Sequence, residues 1–400
     1  MSEMEQSDFL KRARLMLPWL VEIRRAIHRN PELSFQETAT AGLVSDILCQ
    51  YGYELRTGVA GTGVIADLGK GPAVAVRADM DALPIKEVED RRYRSCNDGV
   101  MHACGHDVHV AAALGAAILL AKHGPRYGRA RFLFQPAEET ANRDGKSGAA
   151  LMIEAGALED VSAAFALHVD TRIPAGRIAV RTGAQMAGGD RFEITVPGRS
   201  SHAAYPQDGI DCILPACQLV QLLQKIVSPE HDPLQRRVLT VSGVRSNSFR
   251  ANIMADEVVL TGITRYLAVA TGKLLRREIR RACRLVSAPG GRCKVKFSRS
   301  VPPLTNARSV VDILRQAGRA LLAPGAVLES QPEMASDDFT FIAQQVASCY
   351  FLLGARPLDG IARPTHSADF DVDENALAFG AALLAECATR AIRRFASGAV

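Results

Sequence analysis

The sequence predicts an α/β protein of two domains, one of them an inserted βαββαβ module. A chain of 400 residues exceeds what one hydrophobic core usually organises. In its first half, segments of helical period alternate with short apolar runs, the pattern of a sheet covered by helices. From Arg191 the order changes to strand, helix, strand, strand, helix, strand, which is a compact unit of its own.

Taken in order, Trp19 to Asn30 has helical spacing at Leu20, Ile23 and Ile27, and Glu37 to Tyr51 has it at Leu43, Val44, Ile47 and Leu48. The runs 63–68 and 73–78 read as strands; Gly69, Gly71 and Pro72 between them predict a hairpin-type connection. A helix is expected over 108–122, then the apolar runs 131–134 and 163–167, the second leading into His168. In the inserted module the strands are 192–196, 238–244, 257–264 and 293–297, and the helices 210–226 and 272–286. The expected domains are therefore 1–187 with 301–400, and 188–300 between them.

Composition narrows the function classes. At 48% hydrophobic and 23% charged, the chain has the make-up of a globular protein, and its net charge of +5 hints at anionic small molecules rather than nucleic acid. The arginines at 276, 277, 280, 281 and 284 alternate with Leu275, Ile279, Ala282, Cys283 and Val286 at helical spacing, which predicts an amphipathic helix with a solvated basic face. Cys283 and Cys293 lack the paired spacing of a zinc ribbon. The longest apolar stretch, 110–121, is about half the roughly 20 residues a membrane span needs. An acidic start, Met1-Ser2-Glu3-Met4-Glu5, and nine scattered cysteines lead us to expect a cytoplasmic protein with reduced thiols.

The residues that carry chemistry are Cys104-Gly105-His106, Glu138-Glu139, and the separate histidines His168, His202 and His366. Thiolate, imidazole and carboxylate hold catalytic zinc-class ions, and a second carboxylate beside a ligand is what water activation requires. Glycine between Cys104 and His106 lets a turn aim both at one place. On extended backbone adjacent side chains diverge, so one of Glu138 and Glu139 can coordinate while the other moves protons. Asp107 is the expected orienter of a ligating histidine.

Four runs together resemble a known family: Arg77-Ala78-Asp79-Met80-Asp81-Ala82-Leu83-Pro84, Met101-His102-Ala103-Cys104-Gly105-His106-Asp107-Val108-His109, Gln135-Pro136-Ala137-Glu138-Glu139 and Ser201-His202-Ala203-Ala204-Tyr205-Pro206. They are similar to the metallo-aminoacylase and carboxypeptidase family, and more narrowly to its amidohydrolase branch of hippurate and indole-acetyl-amino-acid hydrolases. The resemblance extends from His28-Arg29-Asn30-Pro31-Glu32-Leu33 to Pro364-Thr365-His366-Ser367-Ala368-Asp369-Phe370.

What the resemblance implies is specific. The fold would be a di-metal peptidase-like catalytic domain with a ferredoxin-like lid and dimerisation domain. Two divalent ions per subunit, zinc first and manganese, cobalt or nickel as alternatives, would be held by Cys104, His106, Glu139, His168 and His366. Cys104 would bridge them, and Arg77 would stand where relatives outside the branch have a ligating histidine. Glu138 would be the general base, His202 the hydrogen-bond donor to the oxyanion, and Asn252 with Arg265 the grip on a substrate carboxylate.

The implied reaction is hydrolysis of N-acyl amino acids or short peptides by a homodimer paired through the inserted domain, with neither nucleic acid nor membrane as partner. The alternatives are a carboxypeptidase or dipeptidase, an N-carbamoyl amino acid hydrolase, and a non-catalytic metal- or ligand-binding relative. Ser200-Ser201, Met254-Ala255 and Ser336-Asp337-Asp338-Phe339 depart from the usual pattern, and the last is expected to support the site, with no ligand assigned there.

Overall fold

A computed structural model describes residues 8–88, 91–124, 127–227, 236–286 and 291–396; the first seven residues, read above for a leader, lie outside it. The chain divides into two compact units, Met1–Gln185 with Thr305–Gln331 and Asp337–Val400, and Met186–Leu304 with Pro332–Ser336.

The chain opens with α1 (Phe9–Leu15), α2 (Leu17–Arg29) and α3 (Thr38–Gln50), followed by β1 (Glu54–Val59), β2 (Gly63–Lys70), β3 (Ala73–Asp79), α4 (His106–His123) and β4 (Gly128–Gln135). Next come α5 (Gly148–Glu154), β5 (Val161–Pro174), β6 (Ile178–Val180) and β7 (Gly183–Met186). The second unit runs β8 (Gly188–Pro197), α6 (Ile213–Lys225), β9 (Arg237–Ser246), β10 (Glu257–Tyr266), α7 (Val269–Leu285) and β11 (Lys294–Val301). β12 (Leu304–Asn306) leads back to α8 (Arg308–Leu321), β13 (Val327–Glu329), α9 (Phe339–Ala343), β14 (Ala347–Arg356) and α10 (Ala376–Ala396).

In the first unit one mixed sheet has the order β1-β2-β4-β3-β5-β14-β6-β13. Its heart is parallel: β3 lies between β4 and β5, and β5 pairs with β14. Strands buried on both faces should read as continuous apolar runs, and β3 is buried at every residue. The expected hairpin of β2 and β3 is not formed. β4 inserts between them, antiparallel to β2 and parallel to β3. The turn signal at Gly69, Gly71 and Pro72 was sound, but turn chemistry does not decide which later strand fills the gap.

Helix α4 is buried from His106 to Leu120, as a helix apolar all round must be. It packs on α10, α2 and the sheet, whose Phe132, Phe134, Phe165 and Phe351 are fully buried. Its amino terminus is thereby fixed at the carboxyl ends of the parallel strands, the place where such sheets bind ligands.

The second unit is a four-stranded antiparallel sheet ordered β11-β8-β10-β9, with α6 and α7 packed on it. Phe192, Ile194 and Val196 of β8 meet Leu219 and Leu223 of α6 and Leu275 and Ile279 of α7 in one core. Arg276 pairs with Asp190 at 2.9 Å, and Arg280 lies over the Phe297 ring, so two of the helix's arginines take part in packing. Among the described residues no helix is long and apolar enough to cross a membrane.

Candidate metal centre

Three neighbouring strands of the first unit deliver the site. β3 ends at Asp79, β4 runs into Glu138-Glu139, and β5 carries His168 within the strand rather than after it. Gly105 is the N-cap of α4 with φ +89°, and a Cβ there would stand 2.4 Å from Val169 Cγ2. Only glycine fits, and the tight turn brings Cys104 and His106 to the strand ends.

The predicted ligands come together. Cys104 Sγ is 3.4 Å from His168 Nε2. Glu139 Oε1 is 3.1 Å from His366 Nε2 and 4.0 Å from His106 Nε2. One ligand atom from each of Cys104, His106 and His168 fits within 4.8 Å of the others, and the same holds for Cys104, Glu139 and His366. Cys104 belongs to both groups, as a side chain shared by two ions would. His366 has a left-handed φ of +65°, uncommon outside glycine, and its N–H donates to the Ala103 carbonyl at 2.7 Å.

Tautomer control follows from the partners. His106 Nδ1 donates to the Asp81 carbonyl at 2.8 Å, and His168 Nδ1 to the Val169 carbonyl at 2.8 Å. Each ring therefore presents Nε2 as a lone pair for a cation. The surroundings also favour positive charge: burial opposes protonation of His106, but Asp79, Cys104 and Asp81 outweigh it and raise its pKa well above the usual value. Burial pushes the Cys104 thiol well up, so a cation is needed to hold it as thiolate. The donor set fits two divalent ions.

Asp79, His106 and His109 also lie close enough to suggest a metal group, but chemistry excludes His109 as a ligand. Its Nε2 accepts the Val169 N–H at 3.1 Å, and its Nδ1 donates to Asp79 at 2.6 Å. Both nitrogens are committed, and burial first of all holds its pKa down to about 4. His109 instead fixes the backbone beside His168, with the two ring centroids 4.7 Å apart. Replacing His109 with alanine is expected to lower metal affinity or activity by about 10- to 100-fold. Metal content after dialysis against a graded chelator checks this, and unchanged affinity would remove His109 from the site.

Asp107 does not do what the sequence suggested. It pairs with Arg24 at 2.7 Å and His28 at 2.8 Å, both on α2, and not with a ligating histidine. His106 is oriented by the Asp81 backbone carbonyl; the Asp79 carboxylate holds His109, and Asp81 Oδ2 accepts the Glu139 N–H at 3.0 Å and the Ser34 hydroxyl at 2.7 Å. Arg77, fully buried, is held by Asp79, by Gln135 at 2.8 Å and by Asp338 at 2.9 Å. A guanidinium so placed balances the acids and does not ligate.

Glu138 is half-buried, and Asp338 N–H donates to its Oε1 at 3.3 Å. Burial, then Asp337, Glu139 and Asp338, push its pKa well above the usual carboxylate range. A carboxyl with that bias is a suitable proton carrier. Glu139 is biased the other way: burial would raise its pKa, but the His366 hydrogen bond and His106 lower it.

His202, Asn252 and Arg265 belong to the second unit. His202 is exposed and forms an antiparallel bridge with Ile253, while Ala203 N–H donates to the Asn252 carbonyl at 3.0 Å. His202 and Asn252 are thus neighbours on one loop pair. Arg265 lies on β10, in register with Gly189 of β8 and Val238 of β9.

Cys104, His106, His168, Glu139 and His366 thus cluster at the strand ends with the carboxyl of Glu138 beside them, a donor set suited to a metal-dependent hydrolase. The model of Peptidase family M20/M25/M40 matches residues 75–390, and the chain belongs to that family and is a metal-dependent amidohydrolase. It is 38% identical over 389 residues to the IAA-amino acid hydrolase ILR1-like 2 of Arabidopsis thaliana, covering 95% of this chain and 86% of that one. It is also 38% identical to thermostable carboxypeptidase 2 of Saccharolobus solfataricus, covering 91% and 93%. The crystal structure of the Bacillus subtilis YxeP protein, a dinuclear metal-binding peptidase of the M20 family, matches with a TM-score of 0.82 at 29% identity, covering 95% of this chain and 99% of that one.

Proposed function

We propose that the chain hydrolyses N-acyl amino acids to a carboxylic acid and a free amino acid, with two divalent ions held by Cys104, His106, Glu139, His168 and His366. The observation that carries this reading is Glu138: it lies outside the two groups that share Cys104, although it could also join His106 and Glu139, and burial with Asp337, Glu139 and Asp338 raises its pKa as suits a proton carrier. A protein that only stored or sensed metal would have no use for a carboxyl biased to carry protons.

When bound, the ions supply Lewis acidity towards a carbonyl oxygen and lower the pKa of a water. The residues do the rest. Glu138 takes the proton from the attacking water and hands it to the leaving amine nitrogen. His202 donates a hydrogen bond to the oxygen that becomes negative as the carbonyl carbon turns tetrahedral. Arg265 and Asn252 hold the carboxylate of the amino-acid half.

The relative that acts on IAA-amino acid conjugates supports an acyl group joined to an amino acid. The carboxypeptidase relative is equally similar and favours a second reading, cleavage of short peptides. Release of free amino acid from N-acetyl, N-benzoyl, N-indoleacetyl, N-carbamoyl and dipeptide substrates separates them. Faster turnover of the acyl compounds is the expected result; a preference for dipeptides would replace the first reading with the second.

A homodimer formed through the second unit is part of the proposal, supported by β9 lying at the edge of its sheet, where backbone groups can pair with another strand. In that arrangement the unit would serve as both lid and dimerisation domain. Zinc leads among the candidate ions, with manganese, cobalt and nickel open to the same ligands. All nine cysteines are unpaired, which supports a reducing, cytoplasmic setting.

A further inference from the structure

The corner that carries Glu138 and Glu139 is held from a distant part of the chain. Ala137, the residue before them, has φ +48°, a left-handed conformation that costs a non-glycine residue about 1–3 kcal/mol and persists only where the surroundings impose it. Both of its backbone groups are tied. Its carbonyl accepts the Gly148 N–H at 2.9 Å, where a Cβ on Gly148 would overlap the Pro136 carbonyl. Its N–H donates to Glu37 Oε1 at 2.8 Å.

Glu37 is fully buried and spends its carboxylate on three donors: the Ala137 N–H, the Phe35 N–H at 3.0 Å and the Thr62 hydroxyl at 2.5 Å. Phe35 is itself left-handed, with φ +66°, so the segment that presents Glu37 is as constrained as the corner it grips. No cation is among these partners. A buried carboxylate that engages two backbone amides and a hydroxyl is placed for direction rather than for charge balance.

We propose that Glu37 is a positioning residue for hydrolysis: by fixing the Ala137 N–H it sets the direction in which Glu138 and Glu139 leave the end of β4. The inference rests on the assignment of Glu138 as base and Glu139 as ligand. A misplacement of about 1 Å at a reacting group can cost on the order of 10²-fold in rate, so a slackened corner should be visible in kcat.

Two conservative variants separate geometry from charge. Glu37→Gln keeps the reach: its amide oxygen accepts the Ala137 and Phe35 N–H groups, and its NH2 group donates to Thr62. Glu37→Asp keeps the charge but is shorter by one C–C bond and falls away from Ala137. With metal-saturated enzyme on the best N-acyl amino acid, the expected result is a kcat for Glu37→Asp lower by about 10- to 100-fold. KM should stay within about threefold and Tm near the wild-type value, while Glu37→Gln remains within about threefold of wild type in kcat.

Wild-type kcat in Glu37→Asp, or an impaired Glu37→Gln beside an active Glu37→Asp, would overturn the proposal. Glu138→Gln run alongside tells the two failures apart. If it turns over at the wild-type rate, the base assignment is wrong; if it is inactive while Glu37→Asp is fully active, only the role of Glu37 falls.

Discussion

Glu138→Gln is expected to lower kcat by about 10²–10⁴-fold, the range that a positioned general base contributes. It should leave two ions per chain in place, because the proposed ligands are untouched and the glutamine oxygen still faces the place where His106, Glu138 and Glu139 converge. The glutamine amide has nearly the same shape and can still accept the Asp338 N–H that Glu138 accepts at 3.3 Å, so folding is not expected to suffer. A pH profile adds a second readout. The pKa of Glu138 is raised, by burial first and then by Asp337, Glu139 and Asp338; bound cations pull it back down. Since the base must be ionised, wild-type kcat falls as pH drops through that pKa, and the variant should lose this acid limb. Steady-state kinetics with metal content measured on the same preparation checks both statements. A wild-type rate in Glu138→Gln would end the assignment.

The second large effect belongs to Cys104. Its thiol lies in both ligand groups, and burial raises its pKa so far that it is neutral unless a cation takes the place of its proton. Binding of the ions should therefore release a proton, and affinity should climb with pH. Serine has a similar volume but does not ionise in this range. Loss of a group that merely supports a ligand costs about 10–100-fold in metal affinity or activity, so Cys104→Ser, which loses a ligand shared by two ions, should cost at least about 10²-fold in both. Metal retained after dialysis and turnover at saturating metal are the measurements. A variant that folds, keeps two ions and turns over normally would show that Cys104 is only a small buried residue.

Which ligand-type residues cluster is largely legible in the sequence, and the misses have physical causes. Cys104-Gly105-His106 and Glu138-Glu139 could be read because each is a compact pair of ligand-type residues beside a strand or helix boundary. Asp107 was misread because it adjoins His106 in sequence; on a helix, adjacent residues point about 100° apart and do not share a face. It turns towards Arg24 and His28 on α2 instead. The residues that orient His109 and His106, Asp79 and Asp81, come from β3 and the residues just beyond it, a relation that exists only once β3 is parallel to β4 and β5. That arrangement was itself hidden by the expected hairpin: apolar runs reveal strands, but partners in a parallel sheet are chosen by crossover helices and not by the nearest turn. Glu37 lies a hundred residues from Ala137, and nothing local in Ser34-Phe35-Gln36-Glu37 announces whose N–H it will accept.

The central claim is that two ions, and the residues that hold them, make this chain an amide hydrolase. Its most direct test is a titration: enzyme freed of metal by chelation is returned to increasing equivalents of zinc, manganese, cobalt or nickel, and release of free amino acid from an N-acyl amino acid is followed at each step. The predicted result is no turnover without metal and a rise that levels off at two equivalents per chain. Full turnover by the metal-free enzyme, or none with two equivalents bound, would contradict the account.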